Sequence, residues 1–250
     1  MLILTACVLV DSKSQLKDRD QLDLYDGYLN LGLPTKLIKE TEIYSGSQKV
    51  SKSDIFCGHI NLCHFILNEN KVPIPESLGY PEDLKSFYGR NIIQDSFRNF
   101  EESFKDDRSY FIKPLRNKLF EARVVSSIAD LKVIKASIED STMIYVSDVV
   151  TFKSEYRFYI FRNEIVDFFK YFVSDWKDSF ELNLDVVEDI FRILKSLKMP
   201  VFYSLDVGTD SLGRTLIVEL NDGYALGNYG LAPLQYAQMS IERWKEINKN

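Results

Sequence analysis

The chain has 250 residues, of which 45% are hydrophobic and 27% are charged, a composition typical of a globular protein rather than a disordered one. Its formal net charge of −6 argues against a protein that coats nucleic acid, because such proteins are basic. Three cysteines without a C-x-x-C pair argue against a disulfide framework or a zinc knuckle. No apolar run approaches the roughly 20 residues of a membrane span, and we expect a cytoplasmic protein with no membrane partner.

The first third of the chain alternates predicted strands and helices. The apolar run Leu2–Val10 lacks the basic start of a signal peptide, and it predicts a strand covered on both faces, as in a parallel sheet. Further predicted elements are helices over Leu22–Leu31 and His59–Asn68, strands over Thr35–Tyr44 and Ile55–Cys57, and a short helix from Pro81. This alternation predicts an α/β segment that ends near Gly89–Phe104.

The rest of the chain is dominated by predicted strands. These cover Ser109–Pro114, Phe120–Val125, Met143–Val150, Glu155–Phe161, Glu164–Val173, Val201–Val207 and Thr215–Leu220, with helices over Ala129–Ile138, Leu184–Leu197 and from Pro233. A tight turn at Arg162-Asn163 and another near Thr209–Gly213 predict antiparallel hairpins. The expected fold class is α+β, with an α/β domain over residues 1–100 and a second domain over residues 101–250.

Three polar side chains interrupt the otherwise apolar hairpin of the last two strands. Glu219 and Asn221 point to the same face because side chains alternate along a strand. If the hairpin turns near residues 210–213, Asp206 lies roughly opposite Glu219. Three oxygen ligands on one sheet face suit a hard cation such as Mg²⁺. The competing interpretation is a solvated polar face, although a carboxylate within a buried run needs a metal or a charged partner.

Two lysines and an arginine are candidates for binding phosphate. Lys113 stands within the apolar strand Ser109–Pro114, where it either extends along the strand to solvent or projects into a cleft. Lys118 follows in a polar turn without glycine. Arg157 shares one strand face with Glu155 and offers a planar fork for phosphate or carboxylate, with a cross-strand ion pair as the alternative.

Several other sites are not supported. His59 and His64 are five residues apart, which places them on different helix faces, and both are interpreted as structural. The sequence contains no phosphate-binding G-x-x-x-x-G-K-[ST] loop, no G-x-S-x-G elbow and no kinase H-R-D or D-F-G motif. Arg90 remains a candidate for binding a substrate anion, against the simpler interpretation of a surface arginine.

The order of these features is informative: a strand lysine, a linker strand, Glu-x-Arg, then Asp followed by Glu-x-Asn. In this order the sequence resembles the ATP-grasp superfamily, in particular a compact phage and bacterial subfamily related to RimK-type peptide ligases. The resemblance covers about residues 109–231, and the stretch Val218–Leu231 (VELNDGYALGNYGL) is its most specific part. It implies an ATP-grasp fold in which residues 1–100 form the pre-ATP-grasp domain.

The resemblance also implies roles for individual residues. Lys113 and Lys118 would contact the phosphates of ATP, and Arg157 would face the γ-phosphate or an acyl-phosphate. The backbone of Met143–Val150, at Tyr145 and Val146, would contact adenine, Asp148 would lie near the ribose, and Glu155 would help to bind the nucleotide. Asp206, Glu219 and Asn221 would hold Mg²⁺.

The expected cofactors are therefore ATP and Mg²⁺, and the expected reaction is ligation of a carboxylate to an amine through an acyl-phosphate. The partners would be small-molecule or peptide substrates. A phosphotransferase acting on a small molecule and a catalytically silent nucleotide-binding module are the alternatives. The residues identify neither the substrates nor the oligomeric state.

Overall fold

A three-stranded parallel sheet in the order β2-β1-β3 begins the chain. The computed structural model describes residues 4–116, 119–175 and 180–249. The strands are β1 (Ala6–Val10), β2 (Thr35–Lys39) and β3 (Ile55–Phe56), and the helices beside them are α1 (Arg19–Asn30), α2 (Glu40–Tyr44) and α3 (Ile60–Glu69). All of β1 is buried, as its apolar sequence predicts, while Leu2 and Ile3 lie outside the described residues.

A four-stranded antiparallel sheet in the order β4-β7-β5-β6 follows. Its elements are β4 (Ile92–Ser96), α4 (Phe97–Ser103), β5 (Tyr110–Pro114), β6 (Arg123–Val125), α5 (Ile128–Lys135) and β7 (Met143–Asp148). Both helices contribute to a core with the apolar face of this sheet. Strand β7 is paired with β4 on one side and β5 on the other.

A second four-stranded antiparallel sheet, in the order β11-β10-β8-β9, completes the fold. It contains β8 (Phe152–Phe161), β9 (Glu164–Val173), β10 (Phe202–Asp210) and β11 (Thr215–Asp222), with α6 (Leu184–Leu194) and α7 (Pro233–Asn248). Val187, Ile190 and Leu194 of α6 join one core on this sheet. The apolar stripe of α7 joins another core, shared with the parallel sheet, so the two ends of the chain pack together.

The predicted α+β class is confirmed, with local differences. The strand predicted over Thr35–Tyr44 is wrong beyond Lys39, because the backbone N–H of Lys39 donates to the Glu42 side chain at 3.0 Å and begins a helix. Strand β4 and helix α4 were not predicted, and Ser96 caps α4 by accepting the Asn99 N–H at 3.2 Å. Between the strands of the predicted hairpin, Arg162 and Asn163 have φ of 52° and 60°, the conformation of a tight two-residue turn.

Short segments set the geometry between these layers. The extended segment 71–81 leads from α3 to a 3-10 helix at Glu82–Phe87, where a helix from Pro81 was predicted. Leu84 and Tyr88 of this region pack into the core beneath the third sheet. Among the described residues, no helix has the length and apolarity that crossing a bilayer requires.

Candidate functional site

A cavity of about 690 Å³ lies where the first segment of the chain meets both antiparallel sheets. Residues of α3, β5, β8 and β11 line it, together with the segment 76–78 and the loop after β11. Its polar and charged lining residues are Asn61, Glu76, Ser77, Lys113, Glu121, Arg157, Glu219, Asn221, Asp222 and Tyr224. The fold thus brings four of the predicted site residues, which are far apart in sequence, to one cavity.

The hairpin of β10 and β11 supplies the acidic side of this cavity. Asp206 is paired directly with Glu219, and Ser204 with Asn221, as strand alternation predicts. The Asn221 amide nitrogen lies 2.8 Å from Glu219 Oε1 and 3.3 Å from Asp206 Oδ2. Asp206 is fully buried, at 0% exposure, so its carboxylate requires partners inside the protein.

Arg157 is the main partner of Asp206. The two residues are opposite each other on β8 and β10, and Arg157 donates from Nε to Oδ1 at 2.9 Å and from Nη2 to Oδ2 at 2.6 Å. Burial disfavours the charged guanidinium, but these bonds and the Asp206 charge outweigh burial and raise the pKa of Arg157. Burial also raises the pKa of Asp206, against the pull of Arg157. The result is a two-bond, charge-assisted pair on the cavity floor.

Lys113 is the partner of Glu219. Its ammonium lies 2.5 Å from Glu219 Oε2, with side-chain exposures of 21% and 29%. Burial opposes both charges, yet the pair and the Asn221 hydrogen bond raise the pKa of Lys113 and lower the pKa of Glu219. Lys113 therefore projects into the cavity rather than to solvent, which decides between the two interpretations of its position.

Glu155 lies beside this network. The hydroxyl of Tyr171, on β9, donates to Glu155 Oε2 at 2.6 Å and contacts Asp206 Oδ2 at 3.4 Å. Burial raises the pKa of Glu155, and the neighbouring carboxylates of Asp206 and Glu219 add to the effect. Glu155 thus connects to Arg157 through Tyr171 and Asp206.

The residues predicted to contact adenine and ribose lie on β7. Tyr145 is paired with Lys113, and its ring lies 5.0 Å from that of Tyr80. Val146 packs into the core of the second sheet, and Asp148 is exposed and accepts the Asn91 N–H at 3.1 Å. These positions place only Tyr145 beside the cavity lysine, and the nucleotide contacts of all three residues stay predictions.

Two other candidates have different outcomes. Lys118 lies outside the described residues. Arg90 does not face a ligand site: it donates to the carbonyl oxygens of Tyr88, Ile217 and Val218 at 2.9–3.0 Å. It therefore joins the segment before β4 to β11, where the β10–β11 register shifts after Asp206.

Sequence reasoning missed the aromatic residues around Arg157 and the ion pair behind the loop. Tyr229 lies in the glycine-rich stretch that the resemblance emphasised, yet its packing on Arg157, at 4.6 Å from ring centroid to guanidinium carbon, has no local signal. Asp222 accepts two hydrogen bonds from Arg243 of α7, at 2.7 and 2.6 Å. This buried pair fixes the end of β11 where the loop begins.

Comparison with known families identifies this arrangement. A family model described as an ATP-grasp domain, the second family of its clade, matches residues 87–239. The chain belongs to this ATP-grasp family. The match covers the Lys113 strand, the Glu-x-Arg strand and the β10–β11 hairpin, and it confirms the predicted superfamily. No curated protein sequence matches the chain.

Solved structures share the fold along almost the whole chain. D-alanine–D-alanine ligase from Bacillus anthracis complexed with ATP has a TM-score of 0.58 at 14% identity, covering 98% of this chain and 99% of that one. D-cycloserine synthetase DcsG has a TM-score of 0.57 at 13% identity, covering 96% and 100%. A RimK domain ATP-grasp protein from Sphaerobacter thermophilus has 0.50 at 10%, covering 98% and 100%. At these identities the similarity establishes the ATP-grasp fold.

The residues at the cavity floor fit a hard divalent cation in part. Asp206, Glu219 and Asn221 offer oxygen atoms, which Mg²⁺ prefers. Within the described ranges, however, no three His, Cys, Asp or Glu side chains cluster as metal ligands. The Asn221 amide turns its nitrogen toward both carboxylates, so coordination through its oxygen requires the amide to rotate. The set fits a cation that completes its shell with phosphate and water.

Proposed function

We propose that this protein is an ATP-dependent carboxylate–amine ligase of the ATP-grasp family that forms an amide bond through an acyl-phosphate. The hydrogen-bonded network Lys113–Glu219–Asn221–Asp206–Arg157, on the floor of one cavity, is the observation that carries the proposal. It provides two cations for phosphate oxygens and two carboxylates for a metal, which are the charges that phosphoryl transfer requires.

The triphosphate of ATP would lie along the Lys113 side of the cavity. Lys113 would leave Glu219 and contact phosphate oxygens as a compact charge. Tyr145 lies beside Lys113 on the same face of the second sheet, which supports the placement of the nucleotide between the two antiparallel sheets. Lys118, Val146, Asp148 and Glu155 complete the proposed nucleotide site.

Asp206, Glu219 and Asn221 would hold Mg²⁺. When bound, the ion neutralises phosphate charge and orients the γ-phosphoryl group for in-line transfer. The carboxylate of Glu219 would exchange its ammonium partner for the metal as Lys113 turns to the phosphates. Asp206 would keep Arg157 in place, since that pair is the more deeply buried of the two, with side-chain exposures of 9% and 0%.

The reaction proceeds in two transfers that balance in atoms and charge. A substrate carboxylate oxygen attacks the γ-phosphorus of ATP, the bond to the β-phosphate oxygen breaks, and ADP leaves. An amine that has lost a proton then attacks the acyl carbon, and inorganic phosphate leaves with the oxygen. Arg157 would stabilise charge on the transferred group, and the enclosed cavity would protect the acyl-phosphate from water. Both substrates would be small molecules or peptides, and we propose a cytoplasmic location.

The test is the release of products from purified protein given Mg-ATP and a pool of free amino acids and short peptides. The proposal predicts equal amounts of ADP and phosphate, and a new amide detected by mass spectrometry. ADP without free phosphate, alongside a phosphorylated small molecule, would replace the ligase with a phosphotransferase. No ADP from any pool, with nucleotide affinity indifferent to Mg²⁺, would indicate a silent nucleotide-binding module.

A further inference from the structure

Two tyrosine rings pack against the guanidinium of Arg157. The Tyr229 ring centroid lies 4.6 Å from the guanidinium carbon and the Tyr171 centroid lies 5.6 Å from it. The two rings are also stacked on each other, with centroids 4.8 Å apart and planes inclined by 20°. A cation beside such rings is attracted by their electron-rich faces, most strongly where water is excluded.

This packing restricts the orientation of Arg157. Asp206 fixes the edge formed by Nε and Nη2, and the rings restrict rotation of the guanidinium plane. The remaining nitrogen, Nη1, has only a long contact of 3.5 Å to the carbonyl oxygen of Gly227. Since Arg157 and Gly227 both line the cavity, Nη1 is the donor best placed for a phosphoryl oxygen.

The backbone holds Tyr229 in this position although 47% of the residue is exposed. The Tyr229 N–H donates to the Tyr159 hydroxyl at 2.8 Å, and that hydroxyl donates to the Gly227 carbonyl at 2.9 Å. The neighbouring Asn228 is tied to Asp23 of α1 at 2.8 Å. An exposed aromatic ring with such a fixed backbone is organised for a local purpose rather than for core packing.

We infer that Tyr229, together with Tyr171, is a positioning residue that aims Arg157 Nη1 at the transferred phosphoryl group. The inference rests on the proposed function, in which Arg157 contacts that group. Because a misplacement of about 1 Å at a catalytic group costs as much as about 100-fold in rate, loss of the Tyr229 ring affects turnover more than nucleotide binding.

The experiment compares Tyr229→Phe, which keeps the aromatic ring, with Tyr229→Ala, which removes it. Tyr44→Ala is the matched control: Tyr44 is 45% exposed and packs edge-on against Phe65 at 4.9 Å. The kinetic readout is ADP release with Mg-ATP and the amino-acid and peptide pool. We expect Tyr229→Ala to lower kcat about tenfold with the KM for ATP within about twofold, and Tyr229→Phe and Tyr44→Ala to match the unsubstituted protein.

A spectroscopic readout separates positioning from the proposed chemistry. The Arg157 Nε–H signal in an arginine-selective NMR spectrum, assigned by its loss in Arg157→Lys, should be displaced by the ring currents of Tyr229 and Tyr171. It should keep its shift in Tyr229→Phe and move in Tyr229→Ala. Equal kcat in the Phe and Ala variants, or an unchanged Arg157 signal in the Ala variant, would overturn the inference. Absence of ADP release from the unsubstituted protein would overturn the proposed function, and the NMR comparison would then decide the positioning alone.

Discussion

Asp206 and Glu219 lie directly opposite each other on β10 and β11, and each is bonded to a basic residue from a different strand. Two carboxylates this close repel each other unless cations compensate them. Arg157 and Lys113 provide that compensation in the protein as it stands. Exchange of one of these partners for a metal is the step that the proposed function requires.

Glu219→Gln should weaken the binding of Mg-ATP. The amide removes the charge that would hold the metal but keeps the size of the side chain, and the loss of one such ligand costs about 10- to 100-fold in affinity. Titration calorimetry with ATP, in magnesium and in EDTA, measures the effect. Glu242→Gln, which changes an exposed acid paired with Arg162, is the control and should bind like the unsubstituted protein. Equal magnesium dependence in all three proteins would remove Glu219 from the metal site.

Lys113 and Glu219 should be coupled in stability. Lys113→Met leaves a mostly buried carboxylate without its ammonium, while the double change with Glu219→Gln removes both charges. A double-mutant cycle by urea unfolding should give a coupling of about 1–3 kcal/mol. Additive effects would mean that the 2.5 Å contact does not form in solution.

Arg157→Leu should be among the most destabilising single changes, at about 3–5 kcal/mol, because it leaves Asp206 charged and buried. Adding Asp206→Leu should restore much of the loss, since an apolar pair of similar size needs no desolvation of charge. Urea unfolding of the two variants measures both values. A double variant no more stable than Arg157→Leu would show that the pair does more than satisfy its own charges.

His64 should make stability depend on pH. Its Nε2 lies 2.8 Å from the Tyr224 hydroxyl, and burial lowers its pKa below the usual value of about 6.5. The unfolded chain therefore binds a proton more tightly than the folded protein, so this group lowers stability as pH falls through about 6.5. Urea unfolding from pH 7.5 to 5.5 should show a shallower decline for His64→Gln. Parallel curves for the two proteins would contradict this assignment.

The sequence predicts the hairpin contacts well because they depend on local rules. Strand alternation and a turn before Gly213 are enough to place Asp206 opposite Glu219. Contacts set by distant packing escape such rules: nothing near Tyr229 indicates that its ring rests on Arg157, and nothing near Arg90 indicates that it bonds to β11 carbonyls. The strand predicted over Thr35–Tyr44 failed because Glu42 caps a helix, and capping decides over apolar content in so short a segment.

The most direct test of the account is a crystal structure of the protein with Mg²⁺ and a non-hydrolysable ATP analogue. The account predicts a magnesium ion about 2.1 Å from oxygen atoms of Asp206 and Glu219, with Asn221 completing the protein ligands. Lys113 Nζ should have left Glu219 for a phosphate oxygen, and the adenine should lie near β7. A nucleotide bound away from Lys113, or a Lys113–Glu219 pair that persists beside bound triphosphate, would contradict it.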